Sequence, residues 1–231
     1  MRKKEYLFAC RQTIPILLGY LFLGMAFGLM LQNAGYSFIW AFMISLFVYA
    51  GSMQFVLVTL LTGAQSLLYT LVMTLFINGR HIFYGLSFVE KYKKMGRVYP
   101  YMVFSLTDET YSVLCSLHVP EGMDEKRVTF FISLFDQIYW IIGSVLGAVL
   151  GQLMTLDTAG IDFSMTALFV VIVVNQWLGN RNHFSAITGF ITALLAVALL
   201  GPDHFLLPAL TVTVLILLIC RKKVGYQEVQ P

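Results

Sequence analysis

Eight mostly apolar stretches run along the chain, at 14–32, 37–61, 66–88, 100–118, 128–152, 163–178, 185–200 and 204–220, with short polar, glycine or proline punctuation between them. Several reach the roughly 20 residues that an α-helix needs to cross about 30 Å of hydrocarbon. Helices satisfy their own backbone hydrogen bonds where water is absent. The pattern therefore predicts an all-α fold, a polytopic membrane helical bundle of seven or eight hydrophobic segments, some broken or re-entrant, with residues 1–231 forming a single integral membrane domain.

Composition supports this. Of the 231 residues, 58% are hydrophobic and 12% charged, and the mean hydropathy is +0.79, whereas a soluble domain carries about 25% charged residues. Arg2, Lys3, Lys4 and Arg11 flank the first stretch, which lacks a small-residue cleavage site and reads as a first spanning helix rather than a removed signal peptide. The three cysteines are odd in number and far apart, and neither a disulfide framework nor a metal site is expected.

Charge constrains the topology. With a cytoplasmic N-terminus and eight complete spans, the loop carrying Lys91, Lys93, Lys94 and Arg97 would fall outside, against the positive-inside tendency. If the third and fourth stretches enter and return as broken or re-entrant elements, the loops with Lys91 to Arg97, Lys126 and Arg127, Arg181, and Arg221 to Lys223 all lie inside. Basic residues clustered at the edges of apolar runs speak for membrane orientation, not for binding nucleic acid.

Polar groups inside apolar runs carry the candidate chemistry, because a charge at bilayer depth costs about 2.5–3.5 kcal/mol on insertion scales. Asn78-Gly79-Arg80-His81 interrupts the third stretch. A glycine there weakens the helix by about 1 kcal/mol relative to alanine. It offers a place for unwinding, a fresh helix N-terminus for an anion and a guanidinium for a carboxylate. The bland alternative has Arg80 reaching out to headgroups. Asp108 and Glu109 are adjacent acids in the fourth stretch, and Asp136 lies in the fifth. Burial would bring such carboxyls into the range where protonation is reversible near neutral pH, so Asp108, Glu109, His81 and Asp136 are candidates for proton coupling. Asn78, Arg80, Asp108, Glu109, Ser52 and Gln54 are candidates for substrate binding. Tyr49 to Gln54, and the glycines at 19, 24 and 28 and at 143, 147 and 151, read most simply as helix-packing faces. Enzymatic motifs and phosphate-cradling loops are missing from the sequence, so neither catalysis of covalent chemistry nor a cofactor is expected.

Taken in order, Pro15 to Gly28, Ala50-Gly51-Ser52-Met53-Gln54, Asn78-Gly79-Arg80-His81 with Tyr84, Asp108-Glu109, and Gly160-Ile161-Asp162-Phe163 leading into Thr166-Ala167-Leu168-Phe169 resemble the AzlC family over almost the whole chain. The resemblance implies a bacterial cytoplasmic-membrane exporter of leucine, isoleucine and valine, with methionine at the margin. It would work as the large subunit beside a small AzlD-type membrane subunit supplied as a separate polypeptide. No ligand set is carried over from the family. Proton exchange is the expected energy source, sodium coupling stays open, and so does a higher oligomer. Three other readings remain, a membrane scaffold whose polar spots only pin helices, a passive channel, and an intramembrane enzyme, which would have to yield a product from its substrate.

Overall fold

The computed structural model describes residues 2–63, 65–153, 182–201 and 205–220, together with six further positions, 163, 170, 173, 174, 177 and 178. Every regular element among the described residues is helical. The helices are α1 (Arg2–Asn33), α2 (Phe38–Phe47), α3 (Gly51–Thr62), α4 (Leu67–Asn78), α5 (Arg80–Lys93), α6 (Tyr99–Phe104), α7 (Asp108–Cys115), α8 (Glu125–Leu153), α9 (Phe184–Leu200) and α10 (Leu206–Ile219). The chain divides into two compact units, Met1–Met165 and Thr166–Pro231.

α1 and α8 form the pillar of the first unit and are the two described helices long and apolar enough to cross a membrane. They run parallel. Tyr6 packs edge-on against Phe131 and Phe135, Thr13 Oγ1 is 3.2 Å from the Tyr139 hydroxyl, and Tyr20 meets Trp140 at 5.2 Å between ring centroids. Farther along, glycine brings the two backbones into contact. A Cβ on Gly28 would collide with the Ser144 carbonyl, and one on Gly147 with that of Met25. Small residues let membrane helices approach this closely. Gly24 and Gly143 belong to the same seam, whereas Gly19 faces open space and is not part of it.

Two apolar stretches fold back on themselves. In the second, α2 stops at Phe47, Tyr49 takes a left-handed backbone conformation (φ 41°), and α3 starts at Gly51. The Leu46 carbonyl near this break lies beside mid-α8, while Phe55, one turn into α3, packs on Phe27 toward the far end of α1. α3 therefore returns to the face from which α2 came. In the fourth stretch, α6 ends at Phe104 and α7 begins at Asp108. Leu114 of α7 then packs into a cluster with Ala9, Phe88 and Tyr92, back at the face that holds the start of α1.

The third stretch behaves differently from its expectation. Gly79 separates α4 from α5 for one residue and keeps right-handed helical dihedrals, φ −54° and ψ −29°. α4 packs against the second hairpin-like stretch through Tyr69 and Ile77, and α5 reaches the face where Lys91 pairs with Glu125 at 2.8 Å. The third stretch thus crosses with a kink, and the second and fourth stretches are the re-entrant ones. The physical reason is local. Tyr49-Ala50-Gly51 departs from helical geometry with a positive φ, while Gly79 alone does not. The parity inferred from charge is unchanged by this exchange, and the start of α1, the end of α5 and the start of α8 share one face. It carries Lys3, Lys4, Lys91, Lys93, Lys94, Lys126 and Arg127.

In the second unit, α9 and α10 pack on each other, with the Thr192 and Thr213 hydroxyls hydrogen-bonded across the pair. Most of the sixth stretch, with Arg181 and 221–231, lies outside the described residues.

Candidate functional site

The tips of the two re-entrant hairpins meet in the middle of the first unit. Tyr49 at the α2–α3 break and Phe104 at the α6–α7 break are 6.2 Å apart between ring centroids. Both breaks are enclosed, with Tyr49, Ala50, Ser105, Leu106 and Thr107 all buried. Irregular backbone persists at membrane depth only under such cover. The freed backbone groups find partners. The Gln137 amide of α8 donates to the Leu46 carbonyl at 3.2 Å while its oxygen accepts from the Tyr101 hydroxyl at 2.9 Å, tying α2 and α6 to the pillar. The Thr107 hydroxyl caps α7 by accepting from the Thr110 amide.

Asp108 and Glu109 open α7, where the positive end of the helix favours carboxylates. The Glu109 carboxylate accepts a 2.7 Å hydrogen bond from the Tyr20 hydroxyl of α1. Tyr20 is also 2.7 Å from Thr107 Oγ1, which donates to Thr110 Oγ1 at 3.1 Å, and Thr110 donates to Asp136 Oδ2 of α8 at 2.7 Å. A continuous row of oxygens, Glu109, Tyr20, Thr107, Thr110 and Asp136, thus links three helices through the α6–α7 break. Asp136 is completely buried, and its second oxygen has no hydrogen-bond partner among the described residues. Below it on the same face of α8, the buried hydroxyls of Ser133 and Thr129 are also without partners there. Thr129 lines a cleft of about 410 Å³ on the basic face, together with Ser87, Lys91, Lys94, Glu125 and Lys126. Thr129, Ser133 and Asp136 thus share one face of α8 between the basic face and the α6–α7 break.

The other sequence candidates are placed as follows. Ser52 and Gln54 lie in the first turn of α3, both buried. The Gln54 amide is engaged on both sides, accepting from Trp140 Nε1 at 2.8 Å and donating to Ser45 Oγ at 3.3 Å, so it holds α2, α3 and α8 together. Asn78 ends α4 beside Ile77, which packs with the α3 tip, and its Oδ1 is buried with no partner among the described residues. The His81 ring nitrogen Nδ1 is 3.1 Å from the Asn78 carbonyl, and the ring packs edge-on against Tyr84. Arg80 begins α5, and its side chain lies outside the described residues. The structure thus brings Glu109 and Asp136 into one hydrogen-bonded row and sets Ser52, Gln54 and Asn78 around the α3 tip.

Sequence reasoning did not single out Tyr20, Thr107, Thr110, Gln137 or Trp140. Hydroxyl and amide side chains are ordinary within helices, and the partners that give these their place lie far away in sequence, 87 residues for Tyr20 and Thr107. One signal was available for the hydroxyls, since Thr107 stands one position before an acid pair and reads as an N-cap.

A model of the AzlC protein family matches residues 15–154. The branched-chain amino acid transport protein AzlC of Bacillus subtilis (strain 168) is 37% identical over 94% of this chain and 85% of its own. An uncharacterized membrane protein of Helicobacter pylori (strain ATCC 700392 / 26695) is 42% identical over 95% of this chain and 96% of its own. The inner membrane protein YgaZ of Escherichia coli (strain K12) is 26% identical over 86% of this chain and 82% of its own. No solved structure matches the chain significantly.

Proposed function

Since the chain belongs to the AzlC family, we propose that it is the large subunit of a secondary transporter that exports leucine, isoleucine and valine, with methionine as a weaker substrate, across the bacterial cytoplasmic membrane. The observation that carries the reading is the meeting of two helix breaks beside the buried Asp136 and the half-buried Asp108 and Glu109 at the centre of the first unit. Discontinuous helices that end near the bilayer midplane are the usual way for transporters to offer backbone dipoles to a zwitterion.

The division of roles follows from what each tip presents. The first turn of α3 has no acid and no side-chain cap on its amides, so it suits the carboxylate of an amino acid, with Arg80 as a further partner. The start of α7 carries Asp108 and Glu109, and with the Asn78 oxygen it suits the ammonium group. An aliphatic side chain gains about 25 cal/mol per Å² of apolar surface removed from water. One methylene is worth only about 1–3 kcal/mol of discrimination, so the substrates overlap. Export is driven by proton exchange through Asp136, Glu109, Asp108 or His81. The basic face and the N-terminus are cytoplasmic by the positive-inside tendency, and a small AzlD-type membrane subunit completes the transporter.

Efflux of preloaded labelled valine tests this, in cells carrying the chain with and without such a partner. The expected outcome is export that needs both polypeptides and stops when the proton gradient is collapsed. Export down the gradient without response to pH would indicate a channel, and Asp108→Asn that assembles normally yet leaves efflux intact would indicate a scaffold.

A further inference from the structure

The row from Glu109 to Asp136 contains four oxygen-to-oxygen contacts and only three hydroxyl protons. Tyr20 donates its proton to Glu109, Thr107 gives its own to Thr110, and Thr110 gives its own to Asp136. Tyr20 and Thr107 then face each other at 2.7 Å with both protons committed elsewhere. Two oxygens at that distance with no proton between them repel, so the row is complete only when it holds one more proton than its hydroxyls supply. Only the two ends are acids.

We propose that Glu109 and Asp136 share a single proton, passed between them by Tyr20, Thr107 and Thr110, so that one carboxyl is neutral whenever the other is ionised. With the proton on Glu109, its O–H donates to Tyr20, Tyr20 to Thr107, Thr107 to Thr110, and Thr110 to the Asp136 carboxylate. Transfer in the other sense starts from Asp136 Oδ2–H. Thr110 takes that proton and releases its own to Thr107, Thr107 releases its own to Tyr20, and Tyr20 protonates Glu109. Four O–H bonds break, four form, and the net result is one proton moved from α8 to α7 with no charge left on the hydroxyls. The titratable groups facing the row are Tyr20 of α1, Tyr49 between α2 and α3, Tyr101 of α6, Glu109 of α7, and Asp136 with Tyr139 of α8, and Asp108 stands next to Glu109 in the first turn of α7. The row assigns a proton site to the transporter reading and rests on that reading for its use, while its existence is testable without transport.

Infrared difference spectra of the protein in lipid vesicles, referenced to the double variant E109Q/D136N, count carboxylic acid protons directly. The expected result is non-additive. The amide introduced by E109Q would supply the missing donor to Tyr20 and leave Asp136 ionised, and the amide introduced by D136N would do the same from the other end, so each single substitution abolishes the whole band. Two independent acids would instead each keep their own band when the other is replaced, and that result overturns the proposal. Tyr20→Phe cuts the row, and Thr110→Val cuts it two positions farther on should Tyr20→Phe fail to yield monodisperse protein. Either cut should restore independent titration of the two carboxyls. It should also lower proton-driven valine export by roughly a hundredfold, the scale of losing a positioned proton-transfer group, with one-for-one valine exchange retained. Normal proton-driven export in both cut variants would refute the relay. Non-additive bands in a wild type that transports nothing would leave the row standing and remove the transporter reading.

Discussion

At the residue scale, the molecule turns a small number of amides and hydroxyls into links between helices. Gln137 serves two breaks at once, through the Leu46 carbonyl and the Tyr101 hydroxyl. Gln137→Leu keeps the volume and orphans both groups, each costing about 1–3 kcal/mol when buried. The expected outcome is a clear drop in the thermal midpoint of the purified protein. The same substitution at Ile138, which is exposed on the neighbouring face, should leave that midpoint unchanged. The acids were legible in the sequence because ionisable groups in apolar runs are conspicuous. Their partners were not, since a threonine or tyrosine becomes a relay only when another helix delivers an oxygen within hydrogen-bond distance, and no local pattern records that.

Among the elements, the seam between α1 and α8 divides the glycines by use. Gly147→Ala pushes a methyl group into the Met25 backbone, and overpacking of this kind costs about 1–3 kcal/mol. Gly19→Ala meets nothing within 4 Å, so it should be neutral or slightly stabilising through helix propensity. Comparing the thermal stability of the two variants in detergent checks the contrast. The spacing of the glycines foretold the seam in general but not that Gly19 stands outside it, because the rotation of a helix is set by its neighbours. The breaks were legible only in part. Asn78-Gly79 drew attention as a weak point, yet its dihedrals stay helical, while Tyr49-Ala50-Gly51-Ser52 read as a packing run and proved to be a break.

For the whole molecule, two hairpins entering from opposite faces predict an accessibility pattern that eight complete spans do not. In a background with Cys10, Cys115 and Cys220 replaced, cysteines at Gly35 and Gln65 should both react with an impermeant reagent added to one face. Cysteines at Lys94 and Glu121 should both react only from the other. With complete spans, each pair would split across the membrane. The all-helical, membrane character of the chain was plain from its apolar runs and scarce charge, and the basic loops led to the expectation that two stretches turn back. Which two was decided by backbone geometry at a few residues, and charge counting is blind to it.

The backbone-to-backbone seam has one more consequence. With no side chains between them over Gly28, Ser144 and Gly147, α1 and α8 have no layer along which to slide, and together they behave as one stiff strut. Any motion that exposes the centre first to one face and then to the other must be carried by the short hairpins hung from that strut. Tyr20 and Asp136 stay fixed on it, while Glu109 and the two threonines travel with the part that moves.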